Sequence, residues 1–306
     1  MSEVNPEKRF PNWLIVLMFA GLYTTWSTTY LAIYYMVKTI PPYLSSGLRF
    51  LVAGAILYGF ARIKNKNERI SLKHWKSALI TGGLVIWLGN GSVVWGEKYI
   101  SSSLAALLIA TVPLWIVLLN WLLFGGGKPG VIEMVGVVLG FLGVALLIVF
   151  TRHIGGEGYN LKGIVIVLAA SISWATGSLY SRYSQTPSSP LLSVAAQMLA
   201  GGALMFLASF FVGEWATFEL SKVSMVSVLS WAYLVVFGSL VGFVCYMTLM
   251  KVCRPSKVAT YAYVTPVGAV FLGWLIAGDT ITYHTLIAGG IIILAVLMII
   301  SFAPKE

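Results

Sequence analysis

The segment VGVVLGFLGVALLIVF, residues 135–150, shows what kind of protein this 306-residue chain can be. It contains no charged residue and is apolar on every face, unlike a surface helix with one apolar stripe. A membrane-spanning strand would need alternating polarity over about 10 residues, whereas a spanning helix needs about 20 predominantly apolar residues. The segment therefore predicts a transmembrane helix.

The rest of the chain has the same character. Hydrophobic residues make up 58% and charged residues only 10% of the sequence, and the mean hydropathy is +0.88, which excludes an ordinary soluble domain. Because backbone groups in lipid must be satisfied internally, these segments predict an all-α membrane protein with ten transmembrane helices. The ten predicted spans are residues 13–37, 43–61, 76–96, 101–124, 131–150, 161–183, 190–212, 225–250, 256–277 and 281–302.

The net charge of +10 predicts the orientation of the chain. A basic chain can indicate nucleic-acid binding, but the basic run at 62–76 is a short loop between two spans, so no nucleic-acid partner is expected. With a cytoplasmic N-terminus, 14 Lys and Arg residues lie inside and 5 outside, and Arg49 lies within a span. The positive-inside rule then predicts that both termini are cytoplasmic.

The two halves of the chain resemble each other. Identical residues pair at a shift of 148 residues up to the second span and of 153 residues afterwards. We expect residues 1–153 and 154–306 to be five-span repeats, and since five is odd, the second repeat must be inverted. Inverted repeats are a transporter architecture, with the binding site at the repeat interface near mid-membrane. The matched pairs include Trp26 and Trp174, Gly89 and Gly242, and Pro113 and Pro266.

Two segments carry a family resemblance. SSSLAALLIATVPLWIVLLNWLLFG at 101–125 and PSKVATYAYVTPVGAVFLGWLIAGD at 255–279, each followed by a Gly-rich span, resemble the EamA-type repeat of the drug/metabolite transporter superfamily. WSTTYLAI at 26–33 and SGLRFLVAGAIL at 46–57 fit the first two spans of that family. The resemblance implies a ten-span carrier of the inner membrane, commonly an exporter of amino acids or related metabolites. Family members often have an acidic residue after the fourth and ninth spans; here only the second copy keeps one, Asp279.

Polar side chains within the spans are the first candidates for substrate binding, because such groups must be paired or face a cavity. Arg49 can anchor a carboxylate or phosphate, or it can snorkel outward or hold a neighbouring helix through backbone carbonyls. The repeat places Gln197 at the equivalent position, where it binds substrate or a neighbouring helix. Asn90, midway along the third span, can both donate and accept hydrogen bonds.

Aromatic residues near the centres of spans form a second set of candidates. Trp26 and Trp174 lie away from the membrane interface where tryptophan concentrates, so they either line a cavity or fill space between helices. Tyrosines within the spans extend this argument. The predicted substrate-binding residues are Trp26, Tyr30, Arg49, Asn90, Trp174, Tyr180, Gln197, Tyr246 and Tyr263.

Pro113 and Pro266 lie near the middle of the fourth and ninth predicted spans. Each lacks a backbone donor and favours a kink. Their equivalent placement in the two repeats predicts paired hinges for alternating access, although static kinks that only shape the bundle fit the same pattern.

Catalytic function is not expected. His74, His153 and His284 lie at loops or span ends and far apart in sequence, so we expect no enzyme activity, no bound metal and no cofactor. The chain has no nucleotide-binding P-loop, which disfavours an ATP-driven pump. The acids at span ends that can titrate are Glu97, Glu133 and Asp279, which leaves facilitated export and proton antiport both open.

The sequence thus predicts a secondary carrier that exports small metabolites, such as amino acids, by alternating access. A channel-like facilitator and an uptake carrier of the same fold are the alternatives, and a membrane enzyme lacks the polar cluster it would need. The expected partners are a small-molecule substrate and the lipid bilayer, with protons as a candidate coupling ion. A monomer and a homodimer are both compatible with the sequence.

Overall fold

The computed structural model describes residues 11–64, 68, 70–153, 160–253, 258, 260–279 and 281–302. These residues form helices and connections, without any strand. Three sequence-based predictions fall outside the described residues: the placement of the two termini, the repeat boundary at 153/154, and the start of the ninth span at 256.

The helices follow the predicted spans closely. In chain order they are α1 (Asn12–Met36), α2 (Pro42–Lys64), α3 (Leu72–Thr81), α4 (Ser92–Gly96), α5 (Ser102–Ile109), α6 (Val112–Leu122), α7 (Val131–His153), α8 (Leu161–Tyr183), α9 (Pro190–Phe211), α10 (Glu214–Thr217), α11 (Met225–Tyr233), α12 (Val244–Val252), α13 (Tyr261–Leu272) and α14 (Tyr283–Phe302). Three π-helical segments complete the spans: π1 (Gly82–Gly91), π2 (Leu234–Phe243) and π3 (Gly273–Ala277).

Eight of the helical stretches in the described part of the chain are long and apolar enough to cross a bilayer. Several are composite: α3, π1 and α4 together form the stretch Leu72–Gly96, for example. The last two predicted spans are present as shorter apolar helices, Tyr261–Ala277 and Tyr283–Ile299. The protein is therefore an all-helical membrane protein, and the count of ten spans in inverted repeats stays a prediction.

The π-helical segments were not predicted from the sequence. Both π1 and π2 occupy the middle of their span and are rich in glycine, including Gly89 and Gly242. Glycine tolerates irregular backbone better than other residues, and π-turns frequently occur at functional sites. The repeat shift of 153 residues places Gly82, the first residue of π1, within one residue of Leu234, the first residue of π2.

The centre of the bundle depends on close helix contacts. At Gly47 of α2 a Cβ atom would lie 2.7 Å from the backbone nitrogen of Phe206 in α9, and at Gly202 of α9 it would lie 2.9 Å from that of Leu51 in α2. Small residues at such crossings let two helix backbones approach and gain packing contacts that lipid cannot supply. The crossing of α2 and α9 therefore requires glycine on both helices.

Both ends of the bundle have hydrogen bonds between residues that are far apart in the sequence. We call the end with the connection 97–101 the Glu97 end; there Thr39 donates to Ser227 at 2.8 Å. We call the opposite end, with the connection 65–71, the Arg62 end; there the backbone N–H of Ser189 donates to the Glu68 carboxylate at 3.1 Å. Each end is thus tied by contacts between residues far apart in sequence.

Candidate functional site

A small central cavity lies between α1, α2, π1, α8, π2 and α13. Its volume is about 50 Å³. That is room for a few water molecules, since roughly 10 to 15 Å³ of such space holds one. Five of the predicted substrate-binding residues line it: Trp26, Tyr30, Arg49, Asn90 and Trp174.

Arg49 is the charged residue of this cavity. Its side chain is buried, and its Nε donates to Ser239 Oγ of π2 at 2.8 Å. Its guanidinium carbon lies 4.7 Å from the ring centroid of Phe50, within cation–π range. Its Nη1 is buried without a hydrogen-bond partner, and no acidic residue in the described part of the chain forms an ion pair with it.

A buried guanidinium nitrogen without a partner is unfavourable, because desolvation removes its hydrogen bonds to water. Arginine pairs with carboxylate and phosphate groups through two parallel hydrogen bonds. Arg49 is therefore poised to receive an anionic group that enters the cavity.

Asn90 and Trp174 present further polar atoms. The Oδ1 atom of Asn90, in π1, is buried and accepts no hydrogen bond. The Nε1 atom of Trp174 lies near the hydroxyls of Tyr246 and Tyr261 without a hydrogen bond of good geometry. The cavity thus offers a cationic donor at Arg49 and a neutral acceptor at Asn90, a pair that suits a zwitterion.

An aromatic cluster forms the wall of the cavity toward the Arg62 end. The ring of Trp26 lies at its centre, 5.7 Å from Trp174, 5.1 Å from Tyr246 and 5.0 Å from Tyr261 between centroids. The contacts to Trp174 and Tyr261 are edge-to-face, a favourable geometry for aromatic pairs. We call these four residues the aromatic wall.

A larger cavity of about 340 Å³ lies on the other side of the aromatic wall. Tyr246 lines this cavity, whereas Trp26, Trp174 and Tyr261 line the central one. Hydroxyl-bearing side chains make up much of its lining, and its rim includes the exposed Arg182. This hydroxyl-lined cavity connects the aromatic wall to the surface at the Arg62 end.

Hydrogen bonds close the Glu97 end. The carboxylate of Glu214 in α10 accepts from the backbone N–H groups of Tyr43 at 3.1 Å and Leu44 at 2.8 Å, at the first turn of α2. A carboxylate at a helix N-terminus is favoured by both the free N–H groups and the helix dipole. Burial raises the pKa of Glu214, and these two hydrogen bonds together with Lys98 oppose that rise.

Comparison with known proteins identifies the family. The sequence profile of the EamA-like transporter family matches residues 13–149 and again residues 161–301, which together cover most of the chain. The chain belongs to the EamA-like transporter family. Its members are transporters, so the protein is a transporter that lies in a lipid bilayer and has a small-molecule substrate.

Relatives across the EamA-like family agree with this assignment. The chain is similar to the inner membrane transporter YedA of Escherichia coli strain K12, with 34% identity over 280 residues, covering 91% of this chain and 88% of that protein. It is also similar to the transporter YvbV of Bacillus subtilis, with 24% identity over 298 residues, 97% of this chain and 95% of the relative. The chain is also similar to a solved crystal structure, with 20% sequence identity and a TM-score of 0.64. The match covers 95% of this chain and 99% of the solved chain, and it supports the fold alone.

The remaining predicted residues of this EamA-like chain lie elsewhere. Tyr246 belongs to the aromatic wall but faces the hydroxyl-lined cavity. Gln197 is buried in α9, donates to Ser193 Oγ at 3.3 Å and lines neither cavity. Tyr180 and Tyr263 are partly buried and also line neither cavity.

The two predicted hinge prolines differ in their surroundings. Pro113 is the second residue of α6 and lies in its first turn, just after the interruption at Ala110 and Thr111 that separates α5 from α6. Pro266 lies inside α13, which continues through it. Only the fourth span is therefore divided at its proline, which fits the missing backbone donor of that residue.

Sequence reasoning missed the residues that hold Arg49 in place. Ser239 accepts from it, and at Gly238 a Cβ atom would lie 2.7 Å from its Nη2. Likewise, a Cβ atom at Gly242 would lie 2.5 Å from Trp26 Nε1, so only glycine fits beside this indole. The two glycines at 238 and 242 were the sequence feature that could have indicated close packing here. They did not indicate which side chains pack against them.

Proposed function

We propose that this protein is a secondary carrier that exports a small metabolite of the amino-acid type by alternating access. The observation that carries the proposal is the central cavity, where Arg49 Nη1 and Asn90 Oδ1 are both buried without partners. A carboxylate would satisfy the first atom and an ammonium group the second. The aromatic wall suits an apolar or aromatic side chain on the same substrate.

Alternating access is supported by the unequal closure of the two ends. The central cavity has room for only a few waters, while the hydroxyl-lined cavity of about 340 Å³ reaches the Arg62 end. Movement of the aromatic wall would join the two cavities into a path for substrate. The interruption before Pro113 is the proposed hinge of the first half, and Pro266 that of the second.

The proposed architecture is ten spans in two inverted repeats, residues 1–153 and 154–306. Reciprocal contacts support it: a Cβ atom at Gly242 would lie 2.5 Å from Trp26, and one at Gly89 would lie 3.2 Å from the ring of Trp174. These tryptophans and glycines are the pairs that the repeat matches. Each tryptophan thus packs against a glycine of the other half, as a two-fold relation requires.

The proposed orientation places the Arg62 end and both termini in the cytoplasm, because basic loops stay on that side. Export then begins with entry of the substrate through the hydroxyl-lined cavity. Uptake by the same path is the alternative direction, and a channel-like facilitator is the alternative mechanism. Either a monomer or a homodimer accommodates the site, since one chain supplies all the residues named.

Proteoliposomes loaded with unlabelled phenylalanine test the proposal. We expect counterflow of labelled phenylalanine above that of protein-free liposomes. Phenylalanine amide, which lacks the carboxylate, should compete weakly because it gives Arg49 no anionic partner, and 3-phenylpropionate, which lacks the ammonium group, should compete at an intermediate level. Equal competition by all three compounds, or no counterflow across a panel of amino acids, would contradict the proposed substrate class.

Counterflow also separates a carrier from a channel. A carrier exchanges internal for external substrate, so unlabelled internal substrate stimulates entry of the label. A channel needs no internal substrate, and single-channel recording would show currents too large for one substrate per conformational cycle. Stimulation by internal substrate without such currents is the expected result.

A further inference from the structure

Glu97 is a buried acid that the proposed substrate site does not use. It directly follows α4, at the end of the third span, and is only 3% exposed. Both oxygens of its carboxyl group are buried, and neither has a hydrogen-bond partner. An ionised carboxylate without partners is very unfavourable in such surroundings, so the closed structure favours a protonated Glu97.

Asp279 contrasts with Glu97. Its Oδ2 accepts from Ser102 Oγ at 3.3 Å, from the Ser103 backbone N–H at 3.3 Å and from Ser103 Oγ at 2.5 Å. Such donors stabilise the ionised form of a carboxylate. The Asp279 carboxylate therefore has three hydrogen-bond donors, whereas the carboxyl group of Glu97 has none.

The charged groups around Glu97 also favour its protonated form. Burial raises its pKa, and the negative charge of Asp279 raises it further. Lys98 acts instead on Glu214, and the ammonium group of Lys162 lies over the Trp95 and Tyr99 rings. No cation in the described part of the chain forms an ion pair with Glu97.

Tyr30 lies at the substrate site and within electrostatic range of Glu97. It lines the central cavity from α1 and interacts electrostatically with Glu97. A change in the charge of Glu97 is therefore felt at the cavity that also contains Arg49. We propose that Glu97 is the proton-binding site through which a proton gradient drives this carrier, an inference that rests on the proposed carrier function.

The direction of the coupling follows from the burial of Glu97. When the Glu97 end opens, water reaches the carboxyl group and stabilises the carboxylate, so the group exchanges its proton with the side of the membrane that this end faces. The transfer is completed from the closed form, when substrate binds beside Arg49 and Asn90 and the proton leaves toward the Arg62 end. The pKa of Glu97 is thus higher in the closed form than in the open form. Protonation therefore stabilises the closed form at low pH, and this stabilisation is lost as the pH rises through the pKa of the closed form.

Infrared spectroscopy of the purified protein in lipid tests the proton site without any substrate. We expect a carboxylic-acid C=O band at neutral pH that disappears on alkaline titration and is absent in Glu97→Gln. Glu133→Gln is the matched control, since Glu133 is also buried at a helix end but accepts a hydrogen bond from Gly130 N–H at 2.7 Å. Absence of the band from the native protein, or its persistence in Glu97→Gln, would overturn the proposal.

Flux measurements test the coupling. A pH gradient across proteoliposomes should drive accumulation of labelled phenylalanine, and Glu97→Gln should reduce this accumulation roughly tenfold while exchange at equal pH continues. Glu97→Asp, which keeps an acid, should restore part of it. Accumulation by Glu97→Gln at the native level would exclude Glu97 as the proton site. So would accumulation by the native protein that is lost when choline replaces Na⁺ and that does not change with the pH gradient. If the native protein moves no amino acid, the carrier proposal fails and the infrared titration still decides the proton site.

Discussion

The two ends of the bundle are closed by different means. At the Glu97 end, side chains from distant connections bond directly to helix termini, as Glu214 does to the first turn of α2. At the Arg62 end, Glu68 makes the corresponding contact to Ser189, yet the hydroxyl-lined cavity penetrates as far as Tyr246. Helix-end capping is thus common to both ends, and the aromatic wall is the barrier between the hydroxyl-lined cavity and the central site.

Under the proposed alternating-access mechanism, this difference bears on how the transporter would switch between its two ends. The closed end is tied by hydrogen bonds that water can replace, whereas the barrier toward the open side consists of packed aromatic rings. Arg49 lies between the two, so the proposed binding of substrate beside it would influence both. The predictions below test this comparison, beginning with the site that both ends share.

Replacement of Arg49 by alanine should have the largest effect. Truncation of one partner of a buried, hydrogen-bonded charge pair costs about 2 to 5 kcal/mol. The half-saturation concentration for phenylalanine counterflow should therefore rise about 30-fold or more. Gln197→Ala, the repeat-equivalent change, should leave affinity nearly unchanged because Gln197 lines neither cavity. Similar effects of the two substitutions would contradict the placement of the substrate beside Arg49.

The aromatic wall can be disturbed at Gly242. A Cβ atom there would lie 2.5 Å from Trp26 Nε1 and 2.8 Å from Thr25 Oγ1. Overpacking of this kind costs about 1 to 3 kcal/mol. We expect Gly242→Ala to lower the thermal unfolding midpoint in detergent and to increase solvent access from the Arg62 end to the central cavity.

Gly290→Ala is the control for this prediction. Nothing lies within 4 Å of the Cβ position at Gly290, which is on an exposed face of α14. Alanine is also the better helix former, so the unfolding midpoint should not fall. Equal losses of stability in both variants would show that Trp26 is not held by Gly242.

The sequence was sufficient to predict an all-helical membrane protein, and it singled out residues that the structure brings to one cavity. Arg49 and Asn90 stood out because polar groups are rare in apolar spans, and both line the central cavity. Tyr180 and Tyr263 could not be distinguished from Tyr30, because a helix that is apolar on every face gives no periodicity to show which side faces a cavity.

Contacts between spans were beyond reach of the sequence. The bond from Arg49 to Ser239 joins residues 190 positions apart, and it depends on the crossing of α2 with π2. The sequence also gave no sign of the π-helical backbone that places Asn90 at the cavity and Ser239 beside Arg49, since only its glycines were visible. Such features arise from tertiary packing rather than from local preference.

The two capping acids give a reciprocal test of the ends. Glu214→Gln replaces a charged acceptor by a neutral one and should weaken closure of the Glu97 end by about 1 kcal/mol, which is roughly a fivefold shift in the equilibrium between conformations. Glu68→Gln should weaken the Arg62 end by a similar amount. The two variants should therefore shift accessibility in opposite directions.

Cysteine labelling measures this shift. In a background with Cys245 and Cys253 replaced by serine, a cysteine at Ile33 reports on the central cavity and one at Ser181 on the hydroxyl-lined cavity. Glu214→Gln should accelerate modification at 33 and slow it at 181 by a membrane-impermeant maleimide, and Glu68→Gln should do the reverse. Parallel changes at both positions would indicate general loosening instead of a switch between ends.

The smallest effect is expected for the ion pair of Lys222 and Glu219 at the Glu97 end. Their charged atoms lie 2.7 Å apart, but the side chains are 72% and 56% exposed. Exposed pairs contribute about 0 to 1 kcal/mol because water and salt screen them, so Lys222→Ala should leave counterflow and cysteine labelling unchanged. A shift in labelling as large as that of Glu214→Gln would mean that surface charge near α10 controls this end. If labelling does not change, closure of the Glu97 end depends on buried contacts such as the one that Glu214 makes with α2.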